Sequence, residues 1–308
     1  MITSIFNKSK SINFIIVFII TLLAFIMARV KLIDEPITVV FVLKQIVLLF
    51  ICYISVFLLN FIVSKNNLTM ENNSYEILLF SLFLLLIVHT TSNTNIICAN
   101  FFVLLGLRRI MSLRSQKNVE KKLFDAAFWI AIAALFYFWS ILFFALILIT
   151  LVLYPENKLR HWIIPFLGIV TVFVISVSVS IIVYDSFFEI FNISSTINYD
   201  FSSYNSIKYL VAITLLLSFG IWSSIFYLQN IKKKKKAFRA SFKIIIAAVI
   251  IAFLIVLQAP EKSGSEFLFM FAPLAIIIAN YIEVIQEKWF KEVFLALLIL
   301  VPFITLLL

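Results

Sequence analysis

The chain has 308 residues, of which 64% are hydrophobic and 13% charged, with a formal net charge of +10 and a mean hydropathy of +1.14. Soluble domains are about 45–50% apolar and about 25% charged, so this composition excludes a soluble globule, a disordered chain and a disulfide scaffold. It implies an all-α polytopic membrane protein, because the excess apolar surface must face lipid.

In chain order, Lys8 and Lys10 precede an apolar run from Ile12 to Met27. This resembles a signal peptide, but Ala28-Arg29-Val30-Lys31 offers no small-x-small cleavage site, and a retained first helix is expected. Spans long enough for hydrocarbon are predicted at about 12–28, 37–63, 162–184, 207–228, 244–258, 267–284 and 293–308. Residues 77–107 are apolar except for His89-Thr90-Thr91-Ser92-Asn93-Thr94-Asn95, which predicts two short helices meeting at one membrane face. Residues 123–154 carry Asp125 as their only charge and predict two short spans with a turn near Tyr137-Phe138-Trp139-Ser140. The expectation is about eleven segments in one integral domain over 1–308, some of them short or re-entrant.

The cationic residues orient this arrangement. Arg108, Arg109, Arg114, Lys117, Lys121 and Lys122 form one cluster, and Lys232 to Lys236 with Arg239 and Lys243 form another. With the amino terminus inside and the carboxy terminus outside, 20 of the 25 Lys and Arg fall in inside regions and 4 outside, with Lys44 in a span. That excess is the positive-inside pattern. It makes 108–122 and 229–243 cytoplasmic loops, 185–206 the largest outside loop, and a bacterial inner membrane the expected location. The basic charge is thus assigned to the bilayer and to membrane or cytoplasmic protein partners, not to nucleic acid.

Few residues can carry chemistry. Intramembrane and membrane-edge ionisable groups are the default candidates, because a charge in lipid is costly unless it is paired or faces water. Asp34 and Glu35, just outside the first span, suit cation binding, general-base work or simply a solvated turn held by Pro36. Lys44, in the second span, either neutralises an anionic substrate or snorkels to the headgroups. Asp185, Glu189 and Asp200 lie in the largest outside loop, whose polar and aromatic composition suits sugar or headgroup contact, and Glu266 opens a late span. The two histidines, His89 and His161, are far apart in sequence, and Cys52 and Cys98 lack metal-ligand spacing, so no metal site is indicated. No Ser-His-Asp order, dinucleotide fingerprint, internal repeat or GxxxG pairing face is readable, and no cofactor is named by the sequence.

Four stretches together resemble a known class: KKLFDAAFW from Lys121 to Trp129, LFYFW from Leu135 to Trp139, LRHWIIPFLG from Leu159 to Gly168, and EFLFMFAPLAIIIAN from Glu266 to Asn280. They are similar to the central and late helices of GT-C-type membrane glycosyltransferases, within a chain that otherwise looks like uncharacterised bacterial integral membrane proteins. The resemblance covers about half the chain. It implies transfer from a polyprenyl-phosphate-linked sugar or lipid donor at the outer face. Asp34 or Glu35 would then stand at the acidic catalytic position, while Glu266 stands where the class would place a phosphate-binding arginine. Read from the residues themselves, Lys44, Glu266, Asp185 and Asp200 are the substrate-binding candidates. A non-catalytic membrane scaffold or assembly factor is the alternative, and a transporter is a third reading disfavoured by the absence of repeats.

Overall fold

The computed structural model describes residues 2–30, 38–69, 73–154, 158–191 and 196–307. Among these the chain is helical throughout, with twelve α-helices in order: α1 Ile2–Phe6, α2 Ser11–Met27, α3 Val39–Asn66, α4 Tyr75–Leu86, α5 Thr94–Ser112, α6 Val119–Phe136, α7 Phe144–Leu153, α8 Leu159–Tyr184, α9 Ile207–Ile231, α10 Lys236–Gln258, α11 Leu268–Val284 and α12 Lys288–Leu307. Seven helical stretches are long and apolar enough to cross a membrane: α3, α8, α9, α10, α12, α5 with its 3₁₀ extension to Ser115, and α11 with the turn before it from Ser265. The helices α2, α4 and Phe138–Leu153 are apolar but shorter.

Polar side chains punctuate these apolar runs. The Thr38 hydroxyl accepts from the Phe41 N–H at the start of α3, and Asn93 Oδ1 accepts from the Asn95 and Ile96 N–H groups at the start of α5. Each satisfies helix donors that would otherwise lack a partner. The polar run at 88–93 forms the turn between α4 and α5, and Phe138–Phe143 forms a 3₁₀ turn between α6 and α7. Both breaks fall where the sequence pattern puts them. The short α1 carries no period a sequence reading would register.

The bundle is built around α4, all twelve of whose residues are buried. It is surrounded by α2, α3, α11 and α12, and α11 is buried along nearly its whole length between α4, α9 and α10. The Thr21 hydroxyl donates to Ser81 Oγ at 3.0 Å, joining α2 to α4. A second group stacks α5 on α6 and α6 on α8. Peripheral α8, α9 and the first half of α3 expose apolar side chains such as Val39, Ile46, Phe166, Ile182 and Ile221, as a lipid solvent requires.

Cross-links show that the helices alternate between two ends. At the basic end, Arg114 Nη1 donates to the Asn66 carbonyl (2.9 Å), and its guanidinium lies over the Phe238 ring. There Arg109 pairs with Asp125 at 3.1 Å and Arg160 with Glu120 at 3.0 Å, tying α5 to α6 and α6 to α8. Asp125, the lone charge of its apolar stretch, is thus half of an ion pair. Thr3 bonds Glu292, Ser74 N–H donates to the Phe6 carbonyl, and Asn73 bonds Glu283, so α1 is docked on the same end. The basic segments 108–122 and 229–243 are largely helical: α5 reaches Ser112, α6 starts at Val119, α9 reaches Ile231 and α10 starts at Lys236. Lys and Arg are good helix formers, so the helices continue past their apolar runs.

Candidate functional site

The opposite end gathers the 88–93 turn, the Tyr137 turn, residues 196–206 and the 259–265 connection. Gly264 sets the last of these. It has φ +86°, and a Cβ there would lie 2.6 Å from the Tyr209 ring, so only glycine fits both the backbone and the space. The Tyr209 hydroxyl then donates to the Ser263 carbonyl at 2.6 Å. Two residues earlier, the buried Lys262 ammonium donates to the Val256 and Leu257 carbonyls, both at 2.8 Å, and sits 4.7 Å from the Phe201 ring centroid. It closes the carbonyl end of α10, which lacks helical partners. Burial lowers the Lys262 pKa from its ordinary value.

This connection carries Glu266 into the protein with no exposed surface. One carboxylate oxygen accepts from the Tyr204 hydroxyl, and the other accepts from Ser263 Oγ at 3.4 Å. A group that only accepts hydrogen bonds is therefore met by two hydroxyl donors, one on each oxygen. The Tyr204 ring packs against Tyr209 and Phe267, with centroids at 5.4 and 5.5 Å. Sixty-two residues separate Tyr204 from Glu266, yet they form one unit.

Three cavities surround that unit. The first, about 500 Å³, is lined mostly by apolar side chains, among them Tyr204, Leu210, Leu217, Phe253, Phe267 and Met270. The second, about 350 Å³, is lined by Met27, Val30, His89, Lys208, Tyr209 and Leu306, with others. His89 stacks on Tyr209 there at 6.2 Å. The third, about 370 Å³, is polar and includes Asn93, Asn95, Tyr137, Glu261 and Ser263. Tyr137 is fixed by stacking on Phe269 at 5.6 Å.

The residues singled out by sequence are scattered relative to this centre. Glu266 lies within it. Asp200 is exposed, its carboxylate accepting from the Ser202 N–H at 2.9 Å, and hydrogen bonding to Ser202 lowers its pKa. Its neighbours Phe201 and Ser202 line the apolar cavity. Asp185 is exposed at the end of α8 in the left-handed conformation, φ 52°. Lys44 is exposed on α3 and lines none of the three cavities. Its neighbour Gln45 accepts from Arg29, which also donates to the Thr91 carbonyl at 2.8 Å. Asp34 and Glu35 lie outside the described residues. Sequence reasoning missed Tyr204, Tyr209, Ser263, Asn93 and Asn95 as site residues. The density of tyrosines at 199, 204 and 209 was the available signal. Among the described residues, no three His, Cys, Asp or Glu side chains converge as metal ligands.

The chain belongs to DUF6427, a family of unknown function, whose model matches residues 1–307. No curated protein and no solved structure matches it.

Proposed function

We propose that the protein is embedded in a bacterial inner membrane through α2 to α12, eleven segments, with its amino terminus and basic end cytoplasmic and its carboxy terminus outside. The concentration of Lys and Arg at one end of the bundle supports this orientation. Reporter fusions at Lys236 and Leu308 are expected to read cytoplasm and exterior respectively. An exterior signal at Lys236 overturns the orientation.

At the outer end we propose a GT-C-like transfer from a polyprenyl-phosphate-linked sugar or lipid donor. The observation that carries this reading is the apolar cavity of about 500 Å³ walled by Tyr204, whose hydroxyl is held by buried Glu266. Binding sites for small lipophilic ligands are apolar recesses of this size with a few fixed polar groups. The isoprenoid chain enters that cavity. Asp34 or Glu35, between α2 and α3 in the chain, takes the proton of the acceptor hydroxyl as general base while polyprenyl phosphate departs as the leaving group. Lys44, about 8 Å along α3 at 1.5 Å per residue and apart from the cavity, meets a donor phosphate only where the headgroup extends beyond it. Glu266 acts by positioning Tyr204, Asp200 stands at the mouth beside the lining residues Phe201 and Ser202, and Asp185 lies apart from it.

A non-catalytic scaffold is the second reading, favoured by α8, a long apolar helix that is mostly exposed and leaves a face open to lipid or to a partner helix. Native mass spectrometry of the full chain with a polyprenyl phosphate separates the two. Wild type is expected to retain the polyprenyl phosphate in preference to phosphatidylglycerol. Leu210→Trp and Leu217→Trp, which fill the cavity from its exposed rim, should lower retention about tenfold or more, the loss expected when about 1.4 kcal/mol of contact is removed. Equal retention of both lipids by wild type would favour the scaffold.

A further inference from the structure

We propose that the polar cavity at the outer end is a binding subsite for an uncharged sugar. Its volume of about 370 Å³ falls within the range of about 300–1,000 Å³ typical of small-molecule sites. Its wall is formed by Asn93 and Asn95, the Tyr137 turn, and Glu261 and Ser263 of the connection before α11. Amides both donate and accept, hydroxyls do the same, and a carboxylate accepts from paired hydroxyls. That inventory matches the alternating donors and acceptors of a polyol, and the aromatic side chains of the Tyr137 turn offer faces for the C–H side of a sugar ring.

The charge of the wall decides against an anion. Among the described residues no Lys or Arg lines the cavity, Glu261 contributes a carboxylate, and Glu266 carries its carboxyl close behind Ser263. The start of α5 would ordinarily attract phosphate through its free amides. Here Asn93 Oδ1 already accepts from the Asn95 and Ile96 N–H groups at 3.0 and 3.2 Å, so those donors are taken. The Asn95 and Glu261 side chains are exposed and available to a ligand from water.

Placement beside the apolar cavity gives the subsite its meaning. Ser263 lines the polar cavity and donates to Glu266, and Glu266 accepts from Tyr204, which lines the apolar cavity. One hydrogen-bonded wall thus has an apolar face and a polar face. A lipid-linked sugar has the same division between tail and headgroup. The inference rests on the proposed lipid-donor reading for the tail and on the polar wall alone for the sugar.

The test is saturation-transfer NMR on the detergent-solubilised full chain with glucose, N-acetylglucosamine and inorganic phosphate as separate probes. At least one neutral sugar is expected to give a signal, and phosphate binding is expected to be weaker. Asn95→Ala and Glu261→Gln should each weaken the sugar about threefold to tenfold, the loss of one hydrogen bond. Asn95→Trp should block it, and Leu217→Trp in the apolar cavity should leave it unchanged. All three positions replaced are exposed, so an unchanged thermal midpoint will show that the fold is intact. No signal from either sugar, a signal indifferent to Asn95→Trp, or tighter binding of phosphate overturns the subsite. Retention of polyprenyl phosphate without sugar binding would remove the subsite and leave the lipid reading standing; sugar binding without lipid retention would do the reverse.

Discussion

Replacing Gly168 by leucine is expected to prevent α8 from seating on α6 and to remove most of the folded protein. A Cβ at Gly168 would lie 2.9 Å from the Ala127 Cβ, 3.0 Å from the Phe124 carbonyl oxygen and 3.2 Å from the Phe128 amide nitrogen. Two of those three contacts are backbone, which cannot swing away as a side-chain tip can. The helices must therefore separate along their whole contact. In lipid, helix association depends on close packing, because water is not there to drive apolar faces together. Overpacking typically costs about 1–3 kcal/mol, and a rigid backbone contact belongs at the upper end. Gly168→Ala should lower the thermal midpoint in detergent, and Gly168→Leu should give little monodisperse protein. The ion pair between Arg160 and Glu120 is too exposed to hold the two helices once that contact is lost. A Gly168→Leu protein with a wild-type midpoint would show that α6 and α8 are not packed in this way.

Gly168 also shows where sequence reading stops. Helix boundaries were legible because polar breaks interrupt apolar runs: 88–93 divides α4 from α5, and the Tyr137 turn divides α6 from α7. Partner choice was not. A helix that is apolar on every side presents no stripe to mark which face meets protein and which meets lipid. With no GxxxG pattern available, the single glycine against Ala127 was not predictable as a contact. Even burial was hidden, since the short α4 is enclosed while the longer and equally apolar α8 is peripheral.

The site was legible only in part for a related reason. Glu266 stands out because a carboxylate at the start of an apolar run is costly without partners. Its partner Tyr204 lies on the far side of α9 and α10 in the chain, and nothing in local spacing joins them. The polar run at 89–95 registers as a turn, and its second role, supplying Asn93 and Asn95 to a cavity wall, needs the fold. Asp185 and Lys44 attracted notice as charges near apolar spans, yet both are exposed and apart from the cavities.

Glu266→Leu should be the most damaging single change at the end opposite the basic clusters. The substitution keeps similar bulk but removes both acceptor oxygens from a buried position that the Tyr204 and Ser263 hydroxyls address. The buried Tyr204 hydroxyl is left unmatched at a cost of about 1–3 kcal/mol, with the upper end expected because its lost acceptor is a carboxylate, while exposed Ser263 can turn to water or to Ser265. Glu266→Gln should cost about 1 kcal/mol, because its carbonyl still accepts and the Tyr204 or Ser263 hydroxyl can rotate to accept from the new NH₂ group. Tyr204→Phe removes one donor to a charged acceptor and should cost about 1.5–3 kcal/mol. In a double-mutant cycle with Glu266→Gln, the two changes should therefore fall short of additivity, since they act on one shared bond. Unfolding in detergent micelles measures all four proteins. If Tyr204 is held in place by Glu266, Glu266→Gln should also weaken polyprenyl phosphate retention at temperatures where the bundle is still folded, because a loosened ring no longer closes the apolar cavity. Additive losses in the cycle, together with wild-type retention by Glu266→Gln, would separate the carboxylate from the cavity and leave it a purely local support for the start of α11.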